Sequence, residues 1–346
     1  MMQTEFVLIN APSDNPEALD RAADVLRRGG LVAFPTETVY GLGGIATSNS
    51  AAKAIYTAKG RPSDNPLIIH IASPEDAEAY AVTNETYYRL AEKFMPGPLT
   101  VILPKKDTIP YSVTGGLDTV AVRCPSHPVA RALIEKTGAP IAAPSANRSG
   151  RPSPTTAAHV AEDLTGRVDM IIDGGACEVG LESTIVALDG NGGVLLRPGA
   201  ITADALSCVC EVRIADTVLR ALTENERPLS PGMKYRHYAP RASLVLLDGE
   251  RAAVTDFMAK EAADKSVGVI CYDEEIDKMP RGATIFPIGK ENDLETQARR
   301  LFAALREADE HKMLSTLYAH LPPKNGMGLA LYNRCIRAAA HTVKEI

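Results

Sequence analysis

Short β-rich runs alternate with amphipathic helical stretches from the first residues of this chain, and this alternation limits its possible folds more than any other feature. Apolar runs such as LVAF (31–34) and PLIIHIA (66–72) have the composition of buried strands. Between such runs lie segments with apolar residues at helical spacing, and the first of these follows Asn15 and stops at the glycine pair 29–30. The alternation predicts an α/β protein.

The length of 346 residues predicts two domains, because domains usually contain roughly 100 to 200 residues. We predict a larger α/β domain over residues 1–215, a linker over 216–241 and a smaller domain over 242–346. In the smaller domain, runs such as LVLLD (244–248) and VGVICY (267–272) alternate with helical stretches, which predicts a Rossmann-like parallel sheet. Its turns lack the G-x-G-x-x-G pattern, so a dinucleotide site is not supported.

Composition excludes several classes of protein. With 45% hydrophobic and 23% charged residues, the chain has the balance of an ordinary globular protein. No apolar run approaches the ~18 residues that a membrane span requires, so we expect a cytoplasmic protein that makes no membrane contact. The net charge of −6 and the absence of tryptophan argue against a surface that wraps nucleic acid. The six scattered cysteines contain no C-x-x-C pair and predict no metal site.

The chain has no Walker A, H-E-x-x-H or G-x-S-x-G motif, so its chemistry must come from less common loops. Three loops stand out: PTETVYGLGG (35–44), KGRPSDNP (59–66) and PSANRSGRPS (144–153). In open α/β sheets the loops at strand ends converge on one crevice, and most of these candidates follow a predicted strand. The candidate residues are Thr36, Thr38, Lys59, Arg61, His70, Arg123, Ser145, Asn147, Ser183, Thr184 and Arg197.

These residue types suit a ligand that carries phosphate groups. Lys59, Arg61 and Arg197 would supply positive charge to a triphosphate, while Ser145 and Asn147 would add neutral hydrogen-bond donors. Each motif also has a plainer interpretation, because K-G-R-P is a common solvated helix end and P-S-A-N a common turn. Taken singly, the motifs leave both interpretations open.

His70 lies in an otherwise apolar strand, where a histidine is more often a hydrogen-bonded core residue than a catalytic base. We therefore assign it no proton transfer. Its functional interpretation is recognition of a polar substrate together with Thr38 and Ser183.

Residues 223–240, TENERPLSPGMKYRHYAP, contain three prolines and no apolar periodicity, which is typical of a tether between domains. A tether does not need Tyr235, His237 and Tyr238 so close together, because aromatic side chains favour burial or contact with a ligand. A solvated tether and a lid over the crevice of the first domain are both open interpretations.

Taken together, PTETVYGLGG, KGRPSDNPLIIHI, PSANRSGRPSPT, STIV, LRPGAI and SPGMKYRHYAP closely resemble the long, two-domain form of the threonylcarbamoyl-AMP synthase family. The resemblance covers nearly the whole chain in the family's order. It implies a YrdC-like first domain, a twisted α/β sheet around a basic concave pocket, followed by a smaller Rossmann-like domain. It also implies that L-threonine, bicarbonate and ATP give threonylcarbamoyl-adenylate and pyrophosphate, for modification of tRNAs that read codons beginning with A.

The same resemblance implies the role of each site residue. The family's Lys, Arg, Ser and Asn set matches Lys59 and Arg61, which would be catalytic, and Ser145 and Asn147. The residues that would hold threonine are Thr38, His70, Arg123, Ala143 and Ser183. Those that would hold ATP are Arg61, Asn65, Thr119, Ser145, Asn147, Ser153, Arg197, Tyr235 and His237.

The implied cofactor is Mg²⁺ carried with ATP rather than by a carboxylate cage, with no tightly bound cofactor and no metal-ligating residue. The implied partners are downstream threonylcarbamoyl transferase proteins, with no stable nucleic acid complex.

Two other functions compete with this one. An RNA-binding module would bind RNA in a salt-sensitive way without adenylate chemistry. Carbamoyl transfer in hydrogenase maturation would require zinc-finger and acylphosphatase-like modules, for which this chain has neither paired C-x-x-C motifs nor room. The C-terminal domain shows no catalytic constellation, and a purely regulatory role for it is open.

Overall fold

The computed structural model describes residues 2–190, 192–220 and 238–346. The chain divides into two compact units, one of Met1–Ser149 with Ser153–Lys234 and one of Gly150–Pro152 with Tyr235–Ile346. The predicted limits of the linker stay a prediction, because most of it lies outside the described residues. Within the described residues, no helix is long and apolar enough to cross a membrane.

The first unit is built on one large mixed sheet. Its described strands are β1 (Glu5–Leu8), β2 (Val32–Phe34), β3 (Gly41–Ile45), β4 (Ile68–His70), β5 (Leu99–Pro104), β6 (Thr119–Arg123), β7 (Ile141–Ala142), β8 (Met170–Asp173), β9 (Thr184–Asp189), β10 (Gly192–Arg197) and β11 (Val212–Ile214). They lie in the order β1-β8-β2-β3-β7-β4-β6-β5-β9-β10-β11.

Helices connect these strands and bury their apolar faces against the sheet. The described helices of the first unit are α1 (Pro16–Arg27), α2 (Asn49–Lys59), α3 (Glu85–Phe94), α4 (Tyr111–Thr114), α5 (Pro128–Thr137), α6 (Ala157–Leu164) and α7 (Ala203–Ser207). Short 3₁₀ turns cover Pro74–Ala79 and Asp216–Val218. The α/β fold class expected for this part of the chain is confirmed.

Local signals place the end of α2 at the candidate site. The side chain of Ser48 accepts a hydrogen bond from the Ala51 N–H (3.2 Å) and caps the start of the helix. Gly60 ends it with a φ of 61°, a left-handed conformation that favours glycine. Lys59 is therefore the last helical residue, and Arg61 is the first residue after the turn.

The segment PTETVYGLGG is predicted to be a loop, but its second half is strand β3, which pairs antiparallel with both β2 and β7. The glycines of this strand let neighbouring side chains pack closely against its backbone. A Cβ atom on Gly43 would lie 2.7 Å from Cγ2 of Ile141 and 2.8 Å from Cε1 of Phe34. The true loop is therefore residues 35–40, and β3 holds it beside the centre of the sheet.

The second unit contains a five-stranded sheet among its described residues, and all of its pairings are parallel. Its elements are β12 (Ser243–Asp248), α8 (Arg251–Glu261), β13 (Val267–Cys271), a 3₁₀ turn (Asp273–Lys278), β14 (Thr284–Pro287), α9 (Leu294–Glu310), β15 (Thr316–His320), α10 (Gly326–Ala338) and β16 (Val343–Glu345). The strand order is β14-β13-β15-β12-β16. This confirms the Rossmann-like architecture expected from the alternation of strands and helices.

We expect Gly43→Ala to destabilise the first unit by about 1–3 kcal/mol, because the new methyl group overpacks against Ile141 and Phe34. Chemical denaturation measures the change. The control is Gly138→Ala, where the surroundings are open and only the left-handed φ of 69° opposes the substitution, at a cost of about 1 kcal/mol. An unchanged denaturation midpoint for Gly43→Ala would contradict this view of β3.

Candidate active site

Main-chain hydrogen bonds join the three candidate loops. The Ala146 N–H donates to the Tyr40 carbonyl (2.8 Å), which links loop 144–153 to loop 35–40. The Ser149 N–H donates to the Lys59 carbonyl (2.9 Å), which links loop 144–153 to the end of α2. The convergence predicted from strand ends is therefore present, and main-chain hydrogen bonds contribute to it.

Lys59 is a buried cation held by main-chain oxygens. Its ammonium group donates to the carbonyls of Ser145 and Asn147, and Nζ lies 3.4 Å from Oδ1 of Asn147. The Ser145 hydroxyl donates to the same Oδ1 atom (2.6 Å). The solvated interpretation of the helix end is wrong, because Lys59 is only 2% exposed. The structure thus brings Lys59, Ser145 and Asn147 into direct contact.

Arg61 lies on a second cluster, at the start of β4. Its guanidinium donates to the carbonyl of Pro66 (3.1 Å) and lies 3.4 Å from that of Asn65. The side-chain amide of Asn65 is buried, and neither its oxygen nor its nitrogen has a hydrogen-bond partner within the part of the chain that the structure describes. A buried amide without partners costs about 1–3 kcal/mol, so this one is well suited to contact a ligand.

His70 and Arg123 form a third cluster at the other end of the same strands. They pair directly in the parallel register of β4 and β6. Burial, with a smaller effect from the charge of Arg123, lowers the pKa of His70 to about 3. Its Nδ1 atom lies 3.2 Å from the Ile68 carbonyl. His70 is therefore neutral at physiological pH, in keeping with a recognition role rather than proton transfer.

Glu37 is a site residue that the sequence analysis missed. Its Oε1 atom accepts a hydrogen bond from Nη2 of Arg123 (2.7 Å), and both side chains are about 5% exposed. Glu37 stands between Thr36 and Thr38, whose hydroxyl oxygens are 2.9 Å apart. The only sequence signal was an acidic residue inside a loop otherwise rich in small and apolar residues.

Ser183 and Arg197 form a fourth cluster. The Arg197 guanidinium donates to the Ser183 carbonyl (2.9 Å) and hydroxyl (3.0 Å), and Thr100 Oγ1 lies 2.7 Å from the same hydroxyl. Ser153 donates to a carboxylate oxygen of Glu182. Two residues predicted to bind different substrates, Ser183 and Arg197, are thus directly bonded to each other. Thr100 and Glu182 were not predicted.

The strands separate the clusters. Thr119 begins β6 and Arg123 ends it, so the two residues are about 13 Å apart along an extended strand. Because β4 and β6 are parallel, the segment with Arg61 and Asn65, which precedes β4, lies towards the Thr119 end. Ala143, whose N–H donates to the Ile68 carbonyl (2.8 Å), lies next to β4. Tyr235 and His237 fall outside the described residues.

The described residues contain no group of three or more His, Cys, Asp or Glu side chains placed to hold a metal ion, and all six cysteines are free. The polar atoms of the candidate site come from main-chain carbonyls, hydroxyls, amides and buried cations, and from the single carboxylates of Glu37 and Glu182. Such a set is suited to binding and orienting an anionic, hydroxyl-bearing ligand.

Comparison with known proteins identifies the family of this chain. Residues 24–199 match the family model described as "Telomere recombination", and residues 201–340 match the one described as "Threonylcarbamoyl-AMP synthase, C-terminal domain". A Bacillus subtilis protein named threonylcarbamoyl-AMP synthase is 45% identical over 334 residues, which cover 96% of this chain and 95% of that protein. A Pyrococcus abyssi protein of the same name is 45% identical over 335 residues, which cover 94% and 95% of the two chains.

Among solved structures, that of P. abyssi Sua5 complexed with L-threonine has a TM-score of 0.90 and 43% identity, and the match covers 99% of this chain and 100% of that one. The chain therefore belongs to the threonylcarbamoyl-AMP synthase family. The resemblance drawn from the sequence motifs is confirmed.

The neutral state of His70 predicts a pH dependence of stability. Because its pKa is about 3 in the folded chain against 6.5 as a free group, the unfolded state binds more protons between these values, and stability falls as the pH falls. Below about pH 6 the slope that His70 contributes to the unfolding free energy approaches about 1.4 kcal/mol per pH unit. We expect His70→Gln to flatten the slope of unfolding free energy between about pH 7 and 5. Exposed His311→Gln is the control, and equal slopes for wild type and His70→Gln would contradict the assignment.

Because Glu37 and Arg123 form a buried ion pair, we expect the effects of substituting them on the unfolding free energy to be strongly coupled. Glu37→Gln would leave Arg123 buried without its anionic partner, at a cost of about 3–5 kcal/mol in unfolding free energy. The double variant Glu37→Gln/Arg123→Gln should lose less than the sum of the two single variants, as a double-mutant cycle would measure. The exposed pair Arg21–Glu5 supplies the control, with Arg21→Gln expected to cost no more than about 1 kcal/mol. Additive effects at Glu37 and Arg123 would rule out the coupling.

Proposed function

We propose that this protein is a threonylcarbamoyl-AMP synthase, which converts L-threonine, bicarbonate and ATP into L-threonylcarbamoyl-adenylate, pyrophosphate and water. The product serves the threonylcarbamoyl-adenosine modification of tRNA. The observation that carries the proposal is the similarity, over nearly the whole chain, to proteins that bear this name. The proposal uses the cations, hydroxyls and amides of the clusters described above.

The two ends of β4 and β6 suit the two halves of the product. We assign threonine to the end with His70 and Arg123, together with Thr38, Ala143 and Ser183. Arg123 is a fixed cation that matches a carboxylate, and neutral His70 offers a hydrogen bond without adding charge. A solved relative that is 43% identical to this chain was complexed with L-threonine, which supports a threonine pocket in this family.

We assign ATP to the end with Arg61, Asn65 and Thr119, and to the adjoining loop with Ser145, Asn147 and Ser153. Tyr235, His237 and Arg197 complete the proposed set. Arg197 donates to Ser183 of the threonine set, so the two proposed sets meet at this contact. Asn65 offers a buried amide that can donate and accept, a combination suited to a nucleobase or ribose. An ATP bound there would direct its phosphates towards the cations Lys59 and Arg61.

The proposed reaction needs no covalent intermediate with the protein. The threonine amine captures bicarbonate or carbon dioxide as a carbamate, and a carbamate oxygen then attacks the α-phosphorus while pyrophosphate leaves. Lys59 and Arg61 would stabilise the charge that develops on the α-phosphate and on the leaving group. We propose that the rest of the catalytic effect comes from holding the carbamate and the α-phosphate in line.

Mg²⁺ would enter with ATP. The carbonyl, hydroxyl and amide groups of loop 144–153 fit a metal that keeps its phosphate and water ligands, because Mg²⁺ is often held mainly by substrate phosphates. The metal would neutralise phosphate charge, while Lys59 and Arg61 orient the chain of phosphates. We further propose that the product passes to threonylcarbamoyl transferase proteins in the cytoplasm, with no stable nucleic acid complex.

Pyrophosphate release from ATP, measured in the presence of bicarbonate with each amino acid in turn, tests the activity. We expect release that depends on L-threonine, with a nucleotide product of the mass of threonylcarbamoyl-adenylate. Serine should be the strongest competitor, because the extra methyl group of threonine is worth only about 1–3 kcal/mol. Salt-sensitive RNA binding without any release would instead favour the RNA-binding alternative.

Lys59→Ala and Arg61→Ala should each abolish adenylate formation and leave the circular dichroism spectrum unchanged, because each removes a cation from the proposed phosphate path. Lys53→Ala, an exposed lysine on the same helix α2, is the matched control and should keep full activity. Wild-type turnover in a folded Lys59→Ala/Arg61→Ala double variant would refute the assigned roles.

A further inference from the structure

The second unit contains a cleft at the point where the chain reverses the direction in which it adds strands to its parallel sheet. The chain runs from β12 out to β13 and β14 on one side, then returns to β15 and continues to β16 on the other side of β12. In open parallel sheets, ligands bind in the crevice beyond the carboxyl ends of the strands at such a reversal. Here those ends are Asp248, Cys271 and His320.

A cleft of about 400 Å³ lies at this place. Its volume falls within the usual range for small-molecule sites. Its lining includes residues after the strand ends and residues at the starts of α8 and α9, among them Arg251, Tyr272, Glu291 and Leu294. None of these residues belongs to the site proposed for adenylate formation.

A buried carboxylate lies behind two residues of the cleft wall, Tyr272 and His320. Glu275 is fully buried, and its oxygens accept hydrogen bonds from Thr255 Oγ1 (2.7 Å), His320 Nε2 (2.9 Å) and the Tyr272 N–H (3.0 Å). Burial raises the pKa of Glu275, but the hydrogen bonds outweigh it and hold the pKa at about 2. The ionised carboxylate fixes His320, whose ring stacks on Tyr272 at 4.6 Å between centroids.

A buried charge network of this kind is weak evidence for stability, because well-packed apolar residues would often stabilise the fold equally well or better. Here the network orients two groups that line the cleft, His320 and Arg251. His320 is bonded to Glu275, while Arg251 forms an ion pair with Glu291 and lies 3.7 Å from Glu275. The network therefore fixes two polar groups on the wall of the cleft.

Both signs of charge are present on the walls, and they determine which ligand fits. A simple anion would meet Asp248 and Glu291, and a simple cation would meet Arg251. A zwitterion can place its carboxylate at Arg251 and its ammonium group at the carboxylates. Leu247, Leu294, Leu321 and Pro323 add apolar surface to the same cleft.

We propose that this cleft binds a free α-amino acid with an apolar side chain. The amino acid group pairs with Arg251 and with the acidic residues of the walls, and its side chain packs on the leucines. The site is separate from the proposed threonine pocket and gives the second unit a ligand of its own.

Equilibrium dialysis of the full chain with radiolabelled L-leucine, and then with L-phenylalanine, tests the proposal. Excess unlabelled L-threonine keeps the proposed pocket of the first unit filled. We expect one bound leucine or phenylalanine per chain. Arg251→Gln should weaken binding about tenfold or more, because it removes a charged hydrogen-bond donor. Leu294→Trp should abolish binding by filling the cleft.

Two variants serve as controls within the same unit. Arg281→Gln removes an exposed arginine, and Met313→Trp adds a tryptophan at a residue that is 80% exposed, so both should bind like wild type. Thermal unfolding of each variant separates loss of the site from loss of the fold. No binding of either amino acid to the wild type, or binding that folded Arg251→Gln and Leu294→Trp leave unchanged, would overturn the proposal. Binding of AMP or inorganic phosphate at this cleft in place of the amino acids would overturn it as well.

Discussion

The parallel pairing of β4 with β6 is the constraint on which the arrangement of the first unit's site depends. This register places His70 beside Arg123 at one end of the two strands. It also brings the segment with Arg61 and Asn65 towards the opposite end, where Thr119 begins β6. The length of a strand thus sets the separation between two groups of polar residues, and a rigid sheet maintains it. A ligand with two distinct halves suits such a site.

Main-chain groups hold most of the site together. Carbonyls of Ser145 and Asn147 bind the ammonium group of Lys59, and carbonyls near the start of β4 receive Arg61. Cations that are held this way are oriented in a partly buried site, which strengthens their effect on a phosphate. Arg123 is held differently, because the buried carboxylate of Glu37 balances the charge of its guanidinium and orients it. Both arrangements hold a buried cation in a fixed orientation.

The second unit shows the same principle in a different fold. Its ionised Glu275 has no exposed surface, yet it holds His320 and lies close to Arg251 at the edge of a cleft. Both units therefore place buried, paired charges at strand ends, where parallel strands leave a crevice. The two units share this placement of charged residues, although their sheets differ in size and strand order.

The sequence by itself determined the α/β class, the parallel sheet of the second unit and the family, and it supplied most of the polar residues that we propose for the first unit's site. These properties follow from periodicity, from local helix caps such as Ser48 and Gly60, and from motifs that are continuous in the chain. Only the tertiary structure decided that the glycines of residues 41–44 form a packed strand, that Lys59 is buried, and that Glu37 balances Arg123. Each of these depends on contacts between residues far apart in sequence, and neither the spacing nor the type of a residue specifies what will pack against it.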